Sequence, residues 1–140
     1  SLIYAGISSS GLPIISNLYE EQEFLHYSDQ NKKEIITSIL SGQLATIAIN
    51  SYIRANCLIS SIQINMEEQY ISLLFKAFGK DYKYTFEILA SGDPKKIIKA
   101  MDEIVEDLDE TKIFNEEFSG QLHRYKPART YFDKLAENLK

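Results

Sequence analysis

Apolar and polar positions along the chain switch between two periods, and the switches divide it into elements. Leu2 to Ile7 is rich in strand formers, Ser8-Ser9-Ser10-Gly11 makes a turn cluster, and a second apolar run extends from Leu12 to Leu18. This pattern predicts an N-terminal hairpin. Pro13 cannot donate to a ladder, which places the second strand at a sheet edge. After a polar stretch, Asn31 with Glu34 three residues on is a helix-capping signal. Ile35, Ile36, Ile39, Leu40, Leu44, Ile47 and Ala48 then recur at three- and four-residue spacing. They predict a long helix from Asn31 to about Tyr52, with one face fit to cover a sheet.

Three runs with a period of two come next. Leu58, Ile62, Ile64 and Met66 share one face; Ile71, Leu73, Phe75 and Ala77 share another; Tyr82, Tyr84, Phe86 and Ile88 alternate with Lys83, Thr85 and Glu87. Glu67-Glu68-Gln69 and Gly79-Lys80-Asp81 supply the turns between them. Ser91-Gly92-Asp93-Pro94 stops the sheet, because Asp93 can cap a helix and Pro94 is tolerated at its first position. That helix should reach about Leu108, with Ile97, Ile98, Met101, Ile104, Val105 and Leu108 inward. Lys95, Lys96, Asp102, Glu103, Glu106 and Asp107 face water, and the acids near its end oppose the helix dipole. Beyond it, Ile113, Phe114, Phe118 and Leu122 predict another helix, Pro127 interrupts, and Ala128, Tyr131, Phe132, Leu135 and Leu139 predict a last short one.

These elements assemble into an α/β (α+β) domain over residues 1–110, with 111–140 as a helical extension docked on the domain or on a partner. The expected sheet is five-stranded and antiparallel, in the order 2-1-5-4-3, with the long helix on one face and the C-terminal helices on the other. The order follows if the first and last hairpins share a centre, so that the strand of Tyr84, Phe86 and Ile88 is the most covered. The length of 140 residues suits one core, and 44% hydrophobic with 25% charged residues is ordinary globular composition. The net charge of -5, with Lys and Arg interspersed among acids, argues against nucleic acid. No apolar run approaches a membrane span, so membrane contact is expected to be peripheral or through a partner.

Candidate chemistry is sparse. Cys57 stands alone beside Leu58 and Ile59 and reads as a buried thiol of a reducing, cytoplasmic compartment. His26 and His123 lie in no metal-ligand spacing, the glycines form no phosphate loop, and the acidic runs lack the spacing of a calcium loop. The expectation is a chain that is not an enzyme and needs no cofactor and no metal. On the long helix, Ser38, Ser41, Gly42, Ala45 and Ile49 form a stripe of mostly small residues that would let another backbone approach closely, either the chain's own sheet or a second helix from another chain. Ser38, Gly42, Ala45, Ile49 and Ile53 are therefore the candidate partner or dimer interface.

The opening hairpin, with Leu2-Ile3-Tyr4-Ala5-Gly6-Ile7 and Gly11-Leu12-Pro13-Ile14, and the order strand, strand, long helix, three strands, helix resemble the longin and roadblock superfamily. The Gly-Leu-Pro-Ile phrase is similar to the second strand of roadblock domains, while the start directly at a strand resembles longins. The resemblance covers about residues 1–108. It implies a platform for small GTPases in trafficking- or motility-type complexes, dimerising through the long helix and the neighbouring edge strand, as a homodimer or with a related subunit. A small-molecule sensor of the PAS or GAF kind is the alternative, with the strand of Tyr82, Tyr84 and Phe86 as a pocket wall.

Overall fold

The computed structural model describes residues 1–20, 41–46, 61–66 and 69–140, with backbone alone at 61–66 and 69–70. Ser10 and Gly11 both have positive φ, 50° and 81°, and make the two-residue turn that matches strand twist. They join β1 (Leu2–Ser9) to β2 (Leu12–Leu18). A register shift at Ile7 and Ser8 sets Ser8 opposite Pro13, on a strand that has a neighbour on one side only. Residues 41–46 are helical (α1). Then β3 (Ser61–Met66), β4 (Gln69–Phe78) and β5 (Tyr84–Ser91) complete one antiparallel sheet in the order β2-β1-β5-β4-β3. The strand of Tyr84, Phe86 and Ile88 thus sits at the centre, hydrogen-bonded to β1 and β4.

Asp93 caps α2 (Pro94–Asp109) by accepting from the Lys95 amide, and Pro94 opens it where no amide is needed. Two 3-10 turns (Lys112–Asn115 and Leu122–Tyr125) lead to α3 (Ala128–Asn138). One face of the sheet meets these C-terminal elements: Ala5, Ile7, Leu74, Phe78, Tyr84, Phe86 and Ile88 join Ile97, Met101, Ile104, Leu108, Phe114, Tyr125, Phe132 and Leu135 in one core. On the other face, Ile3, Tyr4, Leu18, Ile71, Leu73, Phe75 and Leu89 form a second cluster with Leu44 of α1 among the described residues. Residues 111–140 are therefore part of the main core, not a loosely attached tail.

Four local expectations are revised. Tyr82 belongs to a 3-10 turn (Lys80–Tyr82) with φ 54° and is 75% exposed, so it is not on the strand. The cause is the turn opened at Gly79, whose φ of 77° and tight approach to the Phe114 carbonyl and the Tyr84 ring leave no room for a Cβ. The polar positions that alternate along β5 are covered to different degrees: Thr85 is half-buried and Glu87 is 1% exposed, because the sheet is covered on that side too. Ile98 is 44% exposed, since it lies at the margin of the α2 stripe, beyond the line of Ile97, Met101 and Ile104. Finally, the segment around Phe114 and Leu122 is two short 3-10 turns in place of a helix. Its Phe114 and Tyr125 reach inward, while Leu122 is half exposed. The long helix expected from Asn31 to Tyr52 lies outside the described residues except at 41–46, and so do His26 and Cys57.

Candidate functional site on the α1 face of the sheet

The face of the sheet that meets α1 carries polar groups in its middle, which strand periodicity places there. Gly6 of β1 pairs with Ser16 of β2 on one side and Glu87 of β5 on the other, and Glu87 pairs in turn with Phe75 of β4. These four positions form a row across the sheet. Tyr4 lies two residues before Gly6 on the same side, and its ring folds over the glycine so that a Cβ there would collide with the Tyr4 hydroxyl. Gly6 is thus required by close approach, not by backbone conformation.

The buried Ser8 hydroxyl donates to Oε1 of Glu87. Burial pushes the carboxyl up to about 8, and the Ser8 hydrogen bond only tempers that rise. The Tyr4 hydroxyl is driven above its ordinary value too, first by burial and then by the nearby Glu87, while the hydroxyls of Ser16 and Ser41 pull it down. At neutral pH most molecules therefore hold Glu87 neutral beneath the α1 side. Ser8 is 2% exposed and Glu87 1%. Among the described residues, no group of three or more His, Cys, Asp and Glu is placed to hold a metal ion.

Of the residues expected at a partner surface, Gly42 is half-buried, and a Cβ built on it meets nothing within 4 Å. Ala45, one of the same set, is 0% exposed and lies within the protein's own core. In this turn Ser41, Leu44 and Ala45 are buried, Gln43 and Thr46 are exposed, and Gly42 lies half-buried at the margin beside Ala45. Ala45 thus packs inside the chain and is not available to a partner. Ser38, Ile49 and Ile53 lie outside the described residues. The comparisons with known proteins belong beside this geometry. No family model and no curated protein matches the chain. Among solved structures, yeast Nyv1p, an R-SNARE described as a longin domain protein, is similar at 17% identity and a TM-score of 0.47, covering 98% of this chain and 92% of that one.

The buried pair Ser8 and Glu87 is the feature that sequence reasoning missed. Its signal was present: a strand expected at the centre of a sheet with helices on both faces has no solvent side, so a charge on it must be buried. Among the described residues, no helix is long and apolar enough to cross a membrane.

Proposed function

We propose that this chain is a non-catalytic protein-interaction platform of the longin and roadblock kind, serving small GTPases in trafficking- or motility-type complexes. One observation carries the reading: among the described residues the sheet ends at β3, which hydrogen-bonds there to β4 alone, with Ser61 opposite Leu74 through to Met66 opposite Gln69. A strand with one free side is a template on which a partner can add backbone hydrogen bonds. Gly42, half-buried at the margin of α1, leaves room for close approach to that helix. Dimerisation through α1, with itself or a related subunit, would use Gly42 and not Ala45.

The sensor alternative loses its support. Tyr82 stands out on a turn, and Tyr84 and Phe86 are packed against the protein's own Phe114, Tyr125 and Phe132. Hydrogen exchange in the presence of purified small GTPases, in their GDP and GTP states, tests the proposal. Added protection at 61–66 with one nucleotide state is expected. A panel that leaves this strand unprotected, together with turnover of any nucleotide by the chain alone, would reverse the reading.

A further inference from the structure

The exposed side of α2 carries a charge pattern that works against its own helix. Lys95 lies in the first turn and Glu106 in the last, where the helix has no acid at its start and no base at its end. Each charge meets the like-signed end of the macrodipole, and a sequence optimised only for this helix would exchange them. Among the described residues, the side chain of neither makes an ion pair or hydrogen bond. Together Lys95, Ile98, Lys99, Asp102, Glu103 and Glu106 line one shallow groove along the helix. Ile98 is the apolar point in it, 44% exposed, with basic residues toward the N-terminus and acidic residues toward the C-terminus.

We propose that this face of α2 binds the same face of a second copy of the chain, antiparallel about a two-fold axis. An isologous contact needs a patch that complements itself under that rotation. An axis passing between Ala100 and Met101 puts Lys95 opposite Glu106 of the second copy, Lys99 opposite Asp102 and Ile98 opposite Glu103, each contact occurring twice. Charges that are unfavourable along one helix thereby become paired across two. Asp102 also holds Lys76 at 2.7 Å, and being half exposed it can accept from Lys99 of the second copy as well. The methylene stems of Lys99 and Glu103 can cover Ile98 while their charges stay in water. A single helix pair buries less than the roughly 1,200–2,000 Å² of a stable specific interface. The association is therefore weak, favoured by high concentration and weakened by salt. It uses a different surface from the α1 and β3 side and stands independently of the function proposed above.

Sedimentation equilibrium of the full chain and of two charge reversals, Lys95→Glu and Glu106→Lys, provides the test. The wild type should gain mass with concentration at low ionic strength and lose that gain in high salt. Each variant alone should lose that salt-sensitive gain, since its contact now sets like charges together twice. Mixed in equal amounts, they should associate at least as well as the wild type, because the reversed charges then face each other. Both substitutions also improve the match to the helix dipole, so melting temperatures should hold or rise, which separates lost association from lost folding. Three outcomes would each overturn the proposal: a wild type that stays monomeric at low ionic strength, variants that associate as the wild type does, or a mixture no heavier than its parts. A Gly42→Leu variant should keep this association, which distinguishes it from contact through α1.

Discussion

The two faces of the sheet are built from the same five strands, yet they solve different problems. Toward α2 and α3 the strands present Phe78, Tyr84, Phe86 and Ile88, and the C-terminal elements answer with Phe114, Tyr125 and Phe132. Rings meet edge to face or stacked, such as Phe78 on Phe114 at 5.0 Å and Phe86 on Phe132 at 5.6 Å. On this side the Tyr84 hydroxyl reaches the Glu116 carbonyl at 2.9 Å and the Tyr125 hydroxyl at 3.2 Å. Toward α1 the described cluster includes a carboxyl, a serine and a phenol among Leu18, Leu73, Phe75 and Leu89. The first face is joined by packed rings. The second sets a polar centre under the helix that the proposed function uses.

The largest effect should therefore come from the first face. Phe132 is fully buried and stacks on Phe86, so Phe132→Ala should cost about 3–5 kcal/mol in urea unfolding, combining lost transfer energy with a cavity. The transition should remain a single cooperative one, because α3 shares its core with the sheet. A separate early transition for residues 111–140 would mean that this segment is an appendage after all.

Glu87 should give the next effect, and its direction depends on pH. Burial raises its native value above the unfolded one, so the native state holds the proton more tightly. Stability is full below about 4.5 and is lost as pH rises toward about 8, where the buried carboxyl must ionise. Glu87→Gln keeps the shape and removes the ionisation. It should flatten stability across that window and gain on the order of 2 kcal/mol at its alkaline end. A wild-type profile that rises with pH over this range would show that a cation pairs with Glu87.

How far the two faces could be read beforehand follows from what each uses as its signal. The α2 side was legible, since Asp93-Pro94 marks the helix start and the spacing of Ile97, Met101, Ile104 and Leu108 identifies its inward stripe. The central place of β5 followed from its apolar run, and the edge position of β2 from Pro13. Less was legible where local pattern and tertiary cover disagree. Alternation in β5 pointed Glu87 at water, but cover on both faces decides burial, and alternation does not record it. Tyr82 continued the period of the strand on paper, whereas the positive φ values at Gly79, Asp81 and Tyr82 take it out into a turn. At the candidate interface, residue size alone marked Gly42 and Ala45 alike. Only the rotation of α1 against Leu44 separates the half-buried residue from the buried one.

That separation leads to the smallest expected effect. Gly42 is helical, and a Cβ placed on it meets nothing within 4 Å, so Gly42→Ala introduces no clash within the chain. It lowers the backbone freedom that the unfolded chain loses on folding, and should stabilise by about 0.5–1 kcal/mol. The Thr46 hydroxyl, which donates to the Gly42 carbonyl at 2.8 Å, is not disturbed because the change adds nothing to the backbone. If close approach of a partner is the reason for a glycine here, the same substitution should weaken partner binding even as it raises the melting temperature, and Gly42→Leu should weaken it further through overpacking. Opposite signs for stability and binding would place Gly42 at the contact. A gain in stability with binding unchanged for both variants would move the partner surface away from α1 and leave the β3 edge to carry it.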